Sequence, residues 1–221
     1  MNEPIFTITL IILELSFSAV LLRTLLKAGL SKTTVTLIAI IFALWLTATY
    51  ILLNIGFFSA TGVQQISFTI AIVLPVFLGC FAVWKSQSLR RVISVFTTED
   101  FLYLQYWRAV FGVMFFFTNE LPMWFKYVGG LGDIAAGIGA FLVVQSFRKD
   151  HIDEKQTIIR GNLIGILDFI VVLGFGAGVV LQHQSADIAF NLIPLYVVPL
   201  FILLHIFSLQ RLRKSNKTIR S

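Results

Sequence analysis

Seven long apolar segments fill most of this 221-residue sequence. An α-helix needs about 20 residues to cross the hydrocarbon core of a bilayer, and about 17–25 residues is the usual range. A lone strand cannot span lipid, because its backbone N–H and C=O groups would find no partners there. The sequence therefore predicts seven transmembrane helices, over residues 5–22, 34–57, 66–84, 101–118, 127–147, 161–182 and 188–209.

The composition excludes a soluble globular domain and a disordered chain. Hydrophobic residues make up 57% of the sequence and charged residues 13%, and the mean hydropathy is +0.90. Soluble domains are about 45–50% apolar and about 25% charged. The helices leave no room for a further domain, so residues 1–210 are predicted to form one transmembrane domain and residues 211–221 a basic cytoplasmic tail.

The basic residues predict how the helices are oriented. Fifteen of the 17 Lys and Arg residues follow the first, third, fifth or seventh segment, and cytoplasmic loops carry an excess of such residues. The predicted fold class is thus an all-α polytopic membrane protein with seven transmembrane helices, the N-terminus outside and the C-terminus in the cytoplasm. The formal charge of +6 then reflects topology rather than a nucleic-acid partner, and the expected partner is the lipid bilayer.

The fourth segment is the weakest span, because it carries Arg108 near its middle. A central Arg costs about 2.5–3.5 kcal/mol of insertion free energy, which the apolar residues of the segment barely offset. Without this span, however, the basic loop at 148–160 would fall on the opposite side from the other basic loops. The preceding Thr97-Thr98-Glu99-Asp100 predicts a helix start with a capping box between Thr97 and Asp100.

Ionisable side chains inside spans face the bundle interior or a wet cavity and are candidate functional groups. The candidate ligand- or ion-binding residues are Glu14, Arg108, Asp133, Asp168 and His205. A rise of about 1.5 Å per residue places Glu14, Arg108 and Asp168 about 10–12 Å from the cytoplasmic ends of their helices, and His205 about 7 Å. Asp133 is predicted nearer the outer end, as a group favoured by the helix dipole or as an outer-gate carboxylate partnered by Lys126.

Arg108 cannot lose its proton and therefore needs an anion nearby. Asp168 matches its depth best, so we predict an Arg108–Asp168 contact, with Glu14 or His205 completing the network. The cluster is interpreted either as a structural clamp or as a site for an anionic solute or a proton. Replacing either partner is expected to cost similar stability, and the double change less than the sum.

Other features carry weaker structural expectations. Residues 86–96 are predicted to lie on the cytoplasmic membrane surface as a short amphipathic segment. The aromatic residues of 119–130 suggest an outer loop, as an interfacial belt or a lid over a cavity. Pro75, Pro194 and Pro199 are expected to free carbonyl groups, which line a cavity or are satisfied by neighbours. Stripes of Gly and Ala in segments five and six favour close helix packing, within the molecule or in an oligomer.

Several chemistries are excluded, and we expect no metal and no cofactor. A retinal protein needs a lysine in mid-span, and none of the eight lysines lies there. Zinc and bis-histidine haem sites need converging ligands, but of His151, His183 and His205 only the last lies in a span. The sequence has no phosphate-binding loop, nucleophile elbow, H-E-x-x-H or C-x-x-C motif.

The second half of the chain resembles a group of uncharacterised bacterial multipass membrane proteins. The resemblance rests on the stretches 106–112, 120–122, 130–134, 162–168 and 199–205, and it covers about residues 101–213. It implies a location in the bacterial plasma membrane and implies no activity.

Three classes of function remain open from the sequence. The favoured class is a small permease or proton-linked carrier of a small charged solute, because charged groups occur at two depths. Alternatively, it is a receptor or accessory subunit whose buried charges are structural. The third class is an intramembrane enzyme acting on a lipid or quinone, with Asp168 or Glu14 as acid/base and His205 as helper.

Overall fold

A computed structural model describes residues 3–58, 62–118, 121–147, 154–182 and 188–218. These residues form helices and short connections, and no strand is found among them. Arg148, Lys149, His151 and His183, which the sequence places in loops, lie outside the described residues. The first four helices are α1 (Glu3–Lys27), α2 (Lys32–Asn54), α3 (Gly62–Lys85) and α4 (Gln87–Val95).

Five helices among the described residues are long and apolar enough to cross a membrane. They are Pro4–Lys27, Lys32–Asn54, Ile66–Lys85, Met123–Gln145 and Phe190–Leu212. Their outward faces stay apolar: the side chains of Leu44 and Phe77 are each 65% exposed. Soluble monomers rarely expose continuous apolar surface of this kind, so these faces suit contact with lipid.

The fourth predicted span is a broken helix. It consists of α5 (Thr98–Gln105) and α6 (Trp107–Met114), and the predicted capping box at Thr97 and Asp100 is confirmed. At Tyr106 the backbone changes to i→i+3 hydrogen bonds, from Tyr106 to Tyr103 and from Ala109 to Tyr106. The tighter turn interrupts the helix two residues before Arg108, so no single helix of spanning length forms here.

The prediction of a loop at 119–130 is wrong for residues 123–130. Pro122 precedes a helix that runs through α7 (Met123–Phe125), a π-helical turn at Lys126–Gly130 and α8 (Leu131–Phe147). Pro is tolerated before the first turn of a helix because that turn does not use its N–H group. The aromatic residues therefore belong to the start of the fifth predicted span, with Trp124 half exposed and Phe125 buried.

The last two predicted spans are helices with contrasting regularity. The first is α9 (Glu154–Gln182), a continuous helix of 29 residues. The second consists of α10 (Ile188–Leu192), a π-helical turn at Ile193–Val197 and α11 (Val198–Thr218), so residues 211–218 of the predicted tail extend the last helix.

A proline in the last helix frees a carbonyl group, as the sequence predicts. Pro199 has no N–H to donate to the carbonyl of Leu195 one turn earlier. The indole Nε1 of Trp45, on α2, donates to that carbonyl at 3.0 Å instead. A neighbouring helix thus satisfies the freed group.

Aromatic side chains form the centre of the core. The ring of Phe17 on α1 packs against Phe201 on α11 at 4.8 Å and against Phe111 on α6 at 6.2 Å between centroids. Phe201 in turn stacks on Phe169 of α9. This column of rings fixes α6, α9 and α11 around Arg108.

Candidate functional site

Arg108 lies between two aspartates, in a group that we call the charge triad (Asp133, Arg108 and Asp168). Its side chain is 1% exposed. The Nε atom donates to Oδ1 of Asp133 at 2.8 Å, Nη2 forms an ion pair with the same oxygen at 2.7 Å, and Nη2 also donates to Oδ2 of Asp168. The guanidinium carbon lies 4.1 Å from the centroid of the Phe169 ring. The predicted Arg108–Asp168 contact is confirmed, and a second carboxylate shares the same guanidinium.

A chain of hydrogen bonds leads from Arg108 through His205 and Asn162 to Ser208 on α11. The amide nitrogen of Asn162 donates to Ile158 O at 2.9 Å and to Ser208 Oγ at 3.1 Å. The amide oxygen must then face His205 Nδ1, at 2.9 Å, which therefore carries the proton. The other ring nitrogen, Nε2, lies 3.5 Å from Arg108 Nη1 and accepts from it. This pattern fits a neutral imidazole, because an imidazolium would set one N–H against another.

Glycine residues make room for the buried polar side chains. A Cβ atom added at Gly132 would overlap Oδ1 of Asp168, and one added at Gly165 would overlap the His205 ring and lie 3.0 Å from Arg108 Nη1. Between α6 and α8, a Cβ at Gly137 would lie 2.6 Å from the backbone nitrogen of Ala109. Of the predicted stripes, Gly132 and Gly165 give room to the charged cluster and His205, whereas Gly137, which lies outside those stripes, lets α6 and α8 approach closely.

A cavity of about 480 Å³ reaches this cluster from one side. Arg108, Asp168 and His205 contribute to its lining at the deep end, and Thr157 and Arg160 line it at the start of α9. Ala135, Gly161 and Ile164 line the cavity and are also exposed, so it opens between α8 and α9. Its size falls within the roughly 300–1,000 Å³ of typical small-molecule sites.

The structure corrects the predicted position of Asp133. The sequence places it near the outer end, with Lys126 as one candidate partner, but Asp133 binds Arg108 and the Lys126 ammonium donates to the carbonyl of Thr118 at 2.5 Å. The helix begins at Met123 rather than at residue 127. Four more residues place Asp133 about 6 Å deeper than the predicted boundary allows.

Glu14 is not part of the cluster. It is fully buried, and neither of its carboxyl oxygens has a hydrogen-bond partner among the described residues. One turn later on α1, Ser18 Oγ lies 2.7 Å from the hydroxyl of Tyr196. An ionised carboxylate at Glu14 would have no counter-charge within the part of the chain that the structure describes, so this environment suits the neutral acid. Of the two residues predicted to complete the network, His205 does so and Glu14 does not.

Ser208 and Phe169 are site residues that the sequence pattern does not predict. Ser208 lies three residues after His205, on the same face of α11, and that spacing is a usable signal. Phe169 follows Asp168 in the chain but supports the guanidinium with its ring face. The ring reaches the guanidinium because of how α9 is rotated about its own axis, and the sequence pattern does not predict that rotation.

The fold and the site together define a class: an all-helical chain with several candidate membrane spans and a buried charge cluster beside a cavity. The chain belongs to the family described as a domain of unknown function (DUF8737), which matches residues 65–213. The match includes most of α3 and all of α4, so it covers more of the chain than the resemblance at 101–213. Comparison with curated proteins and with solved structures found no match.

Proposed function

We propose that this protein is a seven-span carrier of the bacterial plasma membrane that exchanges protons for a small cation, with the charge triad as its binding site. The supporting observation is the charge balance beside the cavity. One guanidinium faces two carboxylates, and the neighbouring histidine is neutral in the hydrogen-bonding pattern described above. With both aspartates ionised, the site carries one uncompensated negative charge.

An uncompensated charge in an apolar interior is unfavourable, and a bound cation or proton removes it. Asp168 is the group best placed to bind either one, because its side chain is 17% exposed and lines the cavity. Asp133 is held twice by Arg108 and does not line that cavity. Asp168 is therefore the exchanging carboxylate, and Asp133 holds the guanidinium in place.

A carrier alternates between two end states, and in each of them its binding site is accessible from one side. Beyond the triad, away from the cavity, Phe115 packs edge-on against Phe190 at 4.9 Å and lies 6.0 Å from Phe125, between ring centroids. These rings belong to the ends of three helices opposite the cavity. Among the described residues, the site is open at the cavity and aromatic rings pack on the opposite side, as expected of a carrier in one end state.

An intramembrane enzyme is a second candidate, because Asp168 and His205 both line a cavity that opens between helices. Acid–base chemistry by His205 requires a ring nitrogen that can reach a substrate. Its Nδ1 is bound to Asn162 and its Nε2 faces Arg108. The carrier accounts better for this geometry, since it uses Asp168 and leaves the ring as a support.

The proposed topology has seven spans, with the N-terminus outside and the C-terminus in the cytoplasm. Single cysteines added at the two ends, in a Cys80→Ser background, are expected to differ in labelling by a membrane-impermeant maleimide in whole cells. Only the N-terminal cysteine reacts before lysis, and both react after it. Labelling of both ends, or of neither, in intact cells contradicts an odd number of spans.

Transport is tested with purified protein in liposomes that contain a pH-sensitive dye and have an acidic interior. Addition of Na⁺, K⁺, choline or guanidinium outside is expected to speed loss of the proton gradient for at least one cation, relative to protein-free vesicles. Asp168→Asn abolishes this effect, because the exchanging charge is gone. Glu99→Gln, which removes an exposed carboxylate on α5, retains it. No acceleration by any of the four cations, or acceleration that survives Asp168→Asn, contradicts the proposal.

A further inference from the structure

We infer that the cavity binds an amphipathic organic cation with N–H donors, such as a protonated amine, and that Gln105 is the residue that selects for the donors. The inference rests on the proposed function in treating the cavity as the substrate site. It adds the chemical class of the substrate and a specificity residue that is not part of the charge triad.

Gln105 lies at the cavity wall, and its amide oxygen lacks a partner in the described part of the chain. It is the last residue of α5, is 6% exposed and lines the cavity. Its Oε1 atom is buried with no hydrogen-bond partner among the described residues. A buried amide oxygen without a partner is unfavourable, because it has given up its hydrogen bonds to water. Rotation of the amide about its last side-chain bond turns this oxygen towards the cavity, where a ligand N–H can donate to it and restore a hydrogen bond.

Between the deep end and the polar residues Thr157 and Arg160 at the start of α9, most of the cavity wall is apolar. Ala136, Ala140 and Val143 of α8 face it from one side, and Phe101 and Leu102 from another. No Cβ exists at Gly139 or Gly161, and one added at either position would meet no atom within 4 Å, so the cavity is open there. Apolar walls of this kind accept a hydrocarbon or aromatic group and are poor ligands for a hydrated inorganic ion.

The charge at the deep end of the cavity indicates the class of ligand. The deep end of the cavity holds Asp168, whose pair with Arg108 leaves the triad one negative charge in excess. Arg160, the other charged residue that lines the cavity, is exposed at the start of α9 and does not belong to this cluster. A cation is therefore favoured over an anion or a neutral molecule at the deep end. A protonated amine offers both the charge for Asp168 and N–H donors for Gln105, whereas a quaternary ammonium offers the charge alone.

Binding of three matched probes to the purified protein, by calorimetry at neutral pH, tests the inference without any ion gradient. The probes are benzylammonium, benzyltrimethylammonium and benzylurea, which are a charged donor, a charged non-donor and a neutral donor. Benzylammonium is expected to bind at least tenfold more tightly than either of the others. Gln105→Met, which is nearly isosteric, is expected to weaken benzylammonium about tenfold and to leave benzyltrimethylammonium unchanged, whereas Asp168→Asn weakens both cations.

Gly139→Leu provides a second test, which remains valid even if the Gln105→Met variant does not fold. Its side chain enters open space in the cavity and is expected to block all three probes while the thermal unfolding midpoint stays close to that of the wild type. The inference is overturned if benzylammonium does not bind, if benzylurea binds as tightly, or if Gly139→Leu leaves binding intact. Transport of Na⁺ or K⁺ without benzylammonium binding overturns this inference alone. Binding without any transport overturns the proposed carrier and leaves the binding site.

Discussion

Replacing Arg108 by Leu is expected to destabilise the protein by about 3–5 kcal/mol, the usual effect of removing one partner of a buried ion pair. The change leaves Asp133 and Asp168 facing each other, 11% and 17% exposed at their side chains, with no positive charge between them. Asp168→Asn is expected to cost much less, because it leaves Arg108 and Asp133 as a balanced pair. The structure thus replaces the expectation of equal losses, which assumed a single carboxylate partner.

A double-mutant cycle separates this account from a general loss of packing. Once Arg108 is Leu, removing the charge of Asp168 relieves repulsion, so the double variant should fall short of additivity by about 0.5–3 kcal/mol. The free energy of unfolding is measured by denaturation in mixed micelles, followed by loss of helical circular dichroism. Asp100→Asn, on the solvent-accessible capping box, serves as the control partner and is expected to add independently to Arg108→Leu. Strict additivity of the Arg108 and Asp168 changes would show that the two groups are not energetically coupled.

Replacing Gly137 by Leu is expected to have the largest effect among the glycines of α8, while the same change at Gly139 has little effect. A Cβ at Gly137 would meet the backbone nitrogen of Ala109 at 2.6 Å and its Cβ at 2.7 Å. Backbone atoms cannot rotate away, so α6 and α8 must separate. Overpacking of this kind typically costs about 1–3 kcal/mol, and here it also moves Arg108, which adjoins Ala109, away from Asp133.

Gly139 is the matched control, because it lies two residues further along the same helix and a Cβ there would meet no atom within 4 Å. The thermal unfolding midpoint of each variant, measured by fluorescence-detected size exclusion after heating, provides the comparison. Gly137→Leu is expected to lower the midpoint by many degrees or to prevent recovery of monodisperse protein, and Gly139→Leu to leave it nearly unchanged. Equal unfolding midpoints for the two variants would show that α6 and α8 do not approach closely enough to require glycine at position 137.

The sequence predicts the helical class, most helix positions and the central ion pair, because these follow from hydropathy and from a charge that needs a counter-charge. It does not predict the break at Tyr106 or the π-helical turns, which depend on tertiary contacts rather than on local pattern. Counting residues along the helices correctly predicts the pair of Arg108 and Asp168. It misplaces Asp133, because hydropathy alone places the helix boundary at 127 and an error of a few residues shifts a side chain by several ångströms.

Glu14 shows a different limit of sequence reasoning. Its depth matches that of Arg108, so counting along the helix groups them, but depth says nothing about the rotation of α1. In the structure α1 presents Glu14 and Phe17 to the core, and the rings of Phe17 and Phe111 pack there. Only the packed arrangement reveals that a carboxyl group can be buried without joining the charge cluster.

The bond from Trp45 to the Leu195 carbonyl has a mechanical consequence. The π-helical turn and Pro199 divide the last helix into two segments. They form a hinge between these segments, because a wide turn beside a proline bends more easily than regular helix. The indole holds the hinge carbonyl to α2, and the Tyr196 hydroxyl holds the same turn to Ser18 of α1. Movement of the segment before the hinge, which carries Phe190, away from Phe115 therefore requires release of both hydrogen bonds, while α11 keeps His205 in place.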